Sequence, residues 1–340
     1  MDIISARLSA PADGSQKLTG RSVFVTGAYG FVGSWLVKAL LDRGARVTVL
    51  KRDAAAASAL ILEGAERLVN VVHGDVGDAL VLERALTEYE VDTVFHLAAQ
   101  TIVGAANKAP LSTFESNIRG TWMTLEACRH AGIERTIVAA SDKAYGAHDD
   151  LPYREGSALE PRHPYDVSKA ATDMLARSYW HTFGLPVAVT RFANVYGGGD
   201  FNFSRLVPEA VLAAIERRRP VIRSDGTPQR DFLYVEDAVA AYLAICDLFD
   251  DGRAAGEAFN AGAGRPRSVL EVVELVCRLA GTGVAPEVRG TGVPPGEIAC
   301  QWLDYSKLRT TCGWEPTVGL EEGLRRTIAW YREHMLPTFS

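Results

Sequence analysis

The stretch Ser22-Val23-Phe24-Val25-Thr26-Gly27-Ala28-Tyr29-Gly30-Phe31-Val32-Gly33 joins a β-branched run to a turn spaced by glycines. Ser22 to Thr26 reads as a strand, and Phe31 to Arg43 reads as the helix that follows. Glycine at 27, 30 and 33 permits a tight turn, close approach of backbone to a pyrophosphate, and close helix–strand packing. The helix N-terminus then faces the phosphates with unsatisfied amide donors. A ligand-free tight turn is the competing reading, and the strand–turn–helix context weighs against it. The spacing is Gly-x-x-Gly-x-x-Gly rather than the Gly-x-Gly-x-x-Gly of most dehydrogenases.

Working outward, Arg46 to Leu50, Val69 to His73, Thr93 to His96 and Thr136 to Ala140 read as further strands. Helical patterns cover Ala79 to Tyr89, Leu111 to Ala131 and Tyr165 to Phe183. Strands that lack polar alternation and are separated by helices imply a parallel sheet buried on both faces. The expected fold is α/β, a doubly wound parallel sheet of the Rossmann kind. After a strand at Val187 to Arg191 the pattern changes to short strands mixed with helices such as Val207 to Arg217 and Leu320 to Arg332. Residues 1–20 read as a flexible leader and 21–195 mainly as the dinucleotide-binding domain. Residues 196–340 read mainly as a smaller mixed α/β substrate-binding lobe, with some segments returning to the first domain.

Composition narrows the function classes. The chain has 340 residues, 47% hydrophobic and 23% charged, which is ordinary for a globular protein with a sizeable core. A net charge of -6 gives no basic excess for tracking nucleic acid. The run Arg217-Arg218-Arg219 is short enough for a solvated helix end. Five scattered cysteines form no metal-knuckle spacing, so reduced thiols and a cytoplasmic location are expected, with no metal site. No apolar run approaches the ~18 residues of a membrane span.

The second strand ends Lys51-Arg52-Asp53. Basic residues there accommodate the 2′-phosphate of NADP, whereas an acidic one binds the ribose hydroxyl of NAD. Lys51 and Arg52 lean towards NADP, Asp53 keeps NAD open, and a solvated loop is the alternative. Asp75 is read either as an acceptor for the adenine amino group or as a helix cap.

Tyr165 and Lys169 lie four apart, which on a helix puts them on one face. A phenol has a reference pKa of ~10 and is a poor base at neutral pH. A nearby ammonium and a cationic nicotinamide stabilise its phenolate. Such a tyrosinate takes a hydroxyl proton as hydride leaves carbon. Ser141-Asp142-Lys143 follows the strand at Thr136 to Ala140, where open α/β sheets put their ligands. Ser141 completes a Ser-Tyr-Lys set. Asp142 and Lys143 add two ionisable groups beside it, unless the turn is simply an exposed one with an Asp cap.

With these motifs quoted, the chain resembles the extended short-chain dehydrogenase/reductase superfamily, in its group of nucleotide-sugar epimerases and dehydratases. The resemblance runs from Arg21 to Tyr331. Further marks are His96-Leu97-Ala98-Ala99-Gln100, Asn117-Ile118-Arg119-Gly120-Thr121, Arg191-Phe192-Ala193-Asn194-Val195-Tyr196-Gly197, Arg230-Asp231-Phe232 and Gly313-Trp314-Glu315-Pro316. Within that group it is most similar to the CDP-glucose 4,6-dehydratases, which have a similar Ser-Asp-Lys stretch.

The resemblance implies a sugar 4,6-dehydratase, with a 4-epimerase as the alternative and a non-catalytic nucleotide sensor as the remote one. It implies Tyr165 as base at the 4-hydroxyl, Ser141 orienting that hydroxyl and Lys169 on the nicotinamide ribose. Asp142 would protonate the departing 6-hydroxyl, and Lys143 would remove the C5 proton. The cofactor, NAD or NADP, is expected against Gly27, Tyr29, Gly30, Phe31, Val32, Gly33, Lys51, Arg52, Asp75, Val76, Leu97, Ala98, Ala99, Phe192 and Val195. The nucleotide sugar is expected at Gln100, Asn117, Asn194, Arg205, Leu206, Val207 and Arg230. A homodimer through Leu111 to Ala131 and Tyr165 to Phe183 is implied as well, with neither nucleic acid nor membrane as partner.

Overall fold

Seven β-branched or aromatic runs form the central sheet. They are β1 Ser22–Thr26, β2 Arg46–Lys51, β3 Asn70–His73, β4 Thr93–His96, β5 Arg135–Ala139, β6 Val187–Phe192 and β7 Ala258–Ala261. The structure is a computed structural model and describes residues 18–53, 58–294 and 298–335. Most of the expected leader, residues 1–17, lies outside the described residues.

The strand order is β7-β6-β5-β4-β1-β2-β3, with every neighbour parallel. The chain runs outward from β1 to β3, then returns to place β4 on the other side of β1. That reversal opens a crevice at the carboxyl ends of β1 and β4, where ligands of open α/β sheets bind. The doubly wound parallel sheet expected from the sequence is therefore present.

Burial explains why the strands do not alternate. Val23 and Val25 of β1 enter one apolar cluster with Leu36, Leu40, Val235 and Val239. Phe24 points the other way, into a second cluster with Leu82, Leu86, Val94, Leu125 and Ala176. Helices Phe31–Asp42 and Val235–Asp247 thus cover one face. Helices Ala79–Glu88, Gly120–Ala131 and Pro164–Phe183 cover the other.

The helix read over Leu111 to Ala131 is interrupted. It comprises Pro110–Phe114, a π turn at Glu115–Arg119 and Gly120–Ala131. Apolar periodicity does not register such a turn, because it adds one residue to a winding that otherwise continues. The chain after Gly197 adds Leu206–Ile215, Val269–Ala280 and Leu320–Met335, which pack on one another. Ser268 and Glu271 form a reciprocal capping box at the start of the second of these.

Buried polar groups tie distant segments of the chain together. The fully buried Arg191 pairs with Asp173 at 2.7 and 3.0 Å and also donates to the Tyr145 hydroxyl at 3.0 Å. Asp231 accepts from the amides of Ala263, Gly264 and Leu303 at 2.8, 3.3 and 3.3 Å. Burial pushes its carboxyl up to about 6 against the pull of those donors. Among the described residues no helix is long and apolar enough to cross a membrane, and no His, Cys, Asp and Glu cluster could hold a metal.

Candidate active site

The crevice at the carboxyl end of the sheet is a cleft of about 1160 Å³. Gly27, Tyr29, Gly30, Phe31, Val32 and Gly33 form its floor at the end of β1. Gly27 has φ +74°, and a Cβ there would lie 2.7 Å from the Ala98 amide nitrogen. At Gly33 a Cβ would run into the Gly27 carbonyl. Only glycine allows the turn, the neighbouring strand end and the helix to approach this closely. The helix that follows has Gly30 as its N-cap, no side-chain cap and no acidic residue in its first turn. Its amide donors remain available to an anion in the cleft, so the turn fits a dinucleotide pyrophosphate.

His96 ties β1 to the opposite helices. Its Nδ1 lies 2.9 Å from Thr26 Oγ1 and its Nε2 lies 3.1 Å from Thr121 Oγ1. Burial pulls its pKa down to about 3, so the ring is neutral. Thr26 Oγ1 also accepts from the Ala98 amide at 3.2 Å, which holds Leu97, Ala98 and Ala99 against the glycine turn.

Ser141-Asp142-Lys143 turns away from the end of β5, and all three line the cleft. Ser141 Oγ donates to Asp142 Oδ1 at 3.0 Å and accepts from the Lys143 amide at 3.2 Å. Asp142 is buried, and its Oδ2 has no partner among the described residues. Burial raises its carboxyl pKa, opposed by the charge of Lys143. A carboxyl held in this way keeps its proton more readily than an exposed one.

Tyr165 and Lys169 lie on the Pro164–Phe183 helix, with Pro164 in its first turn. Both are buried and both line the cleft. Burial raises the Tyr165 phenol above its ordinary value, as does Asp142, while Arg205 and a hydrogen bond with Ser141 pull it down. Lys169 donates to the Ala139 carbonyl at 2.8 Å, and burial brings its ammonium down to about 8. Ser141, Asp142, Lys143, Tyr165 and Lys169 therefore share one wall.

The far end of the cleft is lined by Leu50, Arg52, Asp53 and Val76. Lys51 is not part of this lining. Its Nζ bonds Glu66 at 2.7 Å and lies 4.7 Å from the centre of the Tyr29 ring. Arg52 pairs with Asp53 at 2.7 Å. Asp75 also lies off the lining and accepts from the Gly77 amide, while Asp78 caps the next helix.

The profile of the NAD dependent epimerase/dehydratase family matches residues 23–262. The chain belongs to that family. Membership bears out the expected resemblance and the expected nicotinamide dependence. A dTDP-glucose 4,6-dehydratase from Xanthomonas campestris is 31% identical over 327 residues, spanning 90% of this chain and 92% of that relative. A trifunctional UDP-glucose 4,6-dehydratase/3,5-epimerase/reductase from Arabidopsis thaliana is 31% identical over 322 residues. That match takes in 92% of this chain but 48% of the plant protein, so the chain spans about half the length of such relatives. A dTDP-glucose 4,6-dehydratase from Streptomyces venezuelae, solved with NAD bound, superposes with TM-score 0.82 at 30% identity over 92% of this chain and 97% of that one. A UDP-glucose 4-epimerase from Thermotoga maritima, solved with UDP-glucose, gives TM-score 0.85 at 29% identity, over 93% and 100%.

In this member of the family, the residues expected at the sugar divide. Gln100, Asn194 and Arg205 line the cleft. Arg205 is held by Asp200 at 2.5 Å and by the Val195 carbonyl at 2.6 Å. Phe192 and Val195, expected at the cofactor, line it too. Asn117 is buried behind the wall on the π turn, where its amide bonds the Gln100 backbone at 2.6 and 3.1 Å and Ser168 at 2.9 Å. Leu206 and Val207 start a helix and pack into the core rather than the cleft. Arg230 bonds the Gln229 carbonyl at 2.8 Å and acts on Asp142 by its charge, without lining the cleft.

The sequence reading missed Thr101, Ser112, Ser116, Asn202, Ser204 and Arg223, all of which line the cleft. Ser112 arrives on the short Pro110–Phe114 helix and Ser116 on the π turn that continues it. Arg223 arrives through a loop whose placement no local spacing reveals.

Proposed function

We propose that this chain is a nucleotide-sugar 4,6-dehydratase that converts an NDP-hexose to its 4-keto-6-deoxy product. The observation that carries the reading is the buried Asp142, whose Oδ2 has no partner among the described residues, set between Ser141 and Lys143 and facing the same cleft as Tyr165. Oxidation of a hydroxyl needs no such group, whereas expulsion of water does. NAD would rest on Gly27, Gly30 and Gly33, with Lys169 at its ribose. The chemistry it would supply is reversible hydride transfer, from C4 and back to C6.

The chain's own residues would move the protons. Tyr165, as phenolate, takes the proton of the 4-hydroxyl while Ser141 orients it. The ketone at C4 then acidifies C5, and the neutral amine of Lys143 takes that proton. The C5–H electron pair becomes the C5–C6 double bond as the C6–O bond breaks. Asp142 protonates the leaving oxygen, which departs as water. The Lys143 ammonium returns a proton to C5. Ser141, bonded to both Tyr165 and Asp142, offers a path by which the proton gained by one refills the other.

Lys51 and Arg52 are already neutralised by carboxylates, which favours NAD over NADP. Asn194 and Arg205 would receive the diphosphate end of the substrate from the C-terminal lobe, since a guanidinium matches phosphate geometry. A cytoplasmic homodimer completes the proposal. Leu111, Met174 and Phe183 on the two expected interface helices are 73%, 64% and 55% exposed. Exposed large apolar side chains of this kind are what such a contact would cover.

A 4-epimerase is the second reading, favoured by the superposition on the Thermotoga maritima enzyme. Incubating the NAD-loaded chain with UDP-, dTDP-, CDP- and GDP-glucose and weighing the product decides between them. Loss of one water supports the dehydratase. An unchanged mass with inverted C4 sinks it.

A further inference from the structure

The Cys300–Gln301 strand pairs in parallel with Gln229–Arg230, and the Gln301 carbonyl accepts from the Asp231 amide at 3.1 Å. Its neighbours are anchored too. The Trp302 carbonyl accepts from the Tyr153 amide at 3.0 Å, and the Leu303 amide donates to Asp231 at 3.3 Å. From this fixed base the Gln301 side chain crosses to the turn after β5. It is fully buried, at 0% exposure. Its Nε2 donates to the Asp142 carbonyl at 3.0 Å, and its Oε1 accepts from the Lys143 ammonium. A carbonyl partner requires the donor end and an ammonium requires the acceptor end, so the two contacts agree on one amide orientation.

We propose that Gln301 is a positioning residue for Lys143, holding its amine beside Asp142 with a neutral acceptor that lets the lysine release and regain a proton. The proposal rests on the dehydratase reading, in which Lys143 exchanges a proton with C5. A carboxylate at this place would hold the lysine equally well but would keep it charged. An apolar side chain would leave the long lysine stem to its rotamers. The glutamine amide does neither.

Among the described residues, the charges that act on Lys143 include Asp142 on its own turn and Asp166 on the Pro164–Phe183 helix. Burial favours the protonated form of both carboxyls. Arg230 of the C-terminal lobe acts on Asp142, and His163 acts on Asp166. Exchanging Gln301 for glutamate therefore puts a full negative charge in direct contact with the amine.

The test uses NAD-loaded full-length protein carrying Gln301→Glu, Gln301→Met or Lys143→Met. The probe is whichever of the four nucleotide glucoses, or of their mannose and galactose counterparts, is turned over. Activity needs the neutral amine, so it is lost as pH falls through the pKa of Lys143. A carboxylate partner raises that pKa, and the acid limb of kcat should move up by about one pH unit or more in Gln301→Glu. Gln301→Met should slow C5 hydrogen exchange with heavy water about tenfold or more, as expected of a misplaced reacting group. Reduction of bound NAD should proceed as in the wild type. Should Gln301→Met fail to fold, the nearly isosteric Gln301→Glu carries the test alone. An unmoved acid limb together with unchanged exchange, while Lys143→Met abolishes exchange, overturns the positioning role and leaves the dehydratase standing. Full exchange in Lys143→Met removes Lys143 as the base, and the positioning role falls with it. Failure of all four nucleotide glucoses and of their mannose and galactose counterparts sinks the dehydratase reading itself.

Discussion

Lys51 Nζ lies 2.7 Å from Glu66 Oε1, and the same carboxylate oxygen accepts from the Tyr29 hydroxyl at 2.7 Å. The bond to Lys51 holds the Glu66 carboxyl below its ordinary range, so it is ionised at neutral pH. A lysine already paired has little to offer a second anion. NAD should therefore bind more tightly than NADP, and Lys51→Ala with Arg52→Ala should change the ratio little. Glu66→Gln frees the ammonium and should raise NADP affinity about fivefold relative to NAD at low salt. Calorimetry on stripped protein measures both affinities. An unchanged ratio in Glu66→Gln would remove Glu66 as a selector.

Tyr165→Phe removes the phenol and keeps the ring. Turnover should fall about a hundredfold or more, the usual loss for a general base, with NAD affinity retained. Near-normal turnover would end the role of Tyr165.

Arg205 supplies a pH test of the same group. Burial and Asp142 hold the phenol above its ordinary value, and Arg205 opposes them. Removing that cation in Arg205→Met raises the phenol pKa. Activity that needs phenolate is lost as pH falls, so the acid limb of NAD reduction should move to higher pH. A limb that stays in place, read at saturating substrate, disconnects Arg205 from Tyr165.

The glycine turn and the Tyr165–Lys169 wall of the cleft were legible because their devices are local. Glycine spacing between a strand and a helix, and a tyrosine four residues before a lysine, are visible in any short window. The sheet was legible for the same reason, since its strands are unbroken apolar runs. The rest of the lining was less so. Arg223 reaches the cleft through a loop and Ser116 through a π turn, while Gln301 reaches Asp142 and Lys143 from a short strand far along the chain. Asn117 shows the converse case. Its motif marks a buried clamp behind Gln100 rather than a group facing the cleft.

Arg191 and Asp173 form a bidentate pair with side chains 1% and 0% exposed. Asp173→Ala leaves a guanidinium without compensation in the interior. Stability should drop by about 3–5 kcal/mol, the usual cost of breaking a buried pair from one side. Replacing both residues, as Arg191→Met with Asp173→Leu, should cost less, because no charge remains buried. Urea midpoints of the two variants measure the difference, and equal losses would contradict the account.

Asp142 decides between elimination and epimerisation. Oxidation at C4 asks for Tyr165 and Ser141, both of which remain in Asp142→Asn. Expulsion of the 6-oxygen asks for a proton, and an amide has none to give at neutral pH. The wild-type carboxyl is suited to hold one, because burial raises its pKa and its Oδ2 has no other partner among the described residues. Asp142→Asn should therefore still accept hydride from C4 yet stall before water leaves. Reduced cofactor should accumulate in the near-ultraviolet without matching 4-keto-6-deoxy product, and turnover should fall about a hundredfold or more. In the wild type, heavy water should place deuterium at C5, while hydrogen originally on C4 appears on C6. An epimerase leaves C5 untouched and returns hydrogen to C4. If Asp142→Asn turns over normally and C5 stays unlabelled in the wild type, water loss is not the reaction and the 4-epimerase reading replaces it.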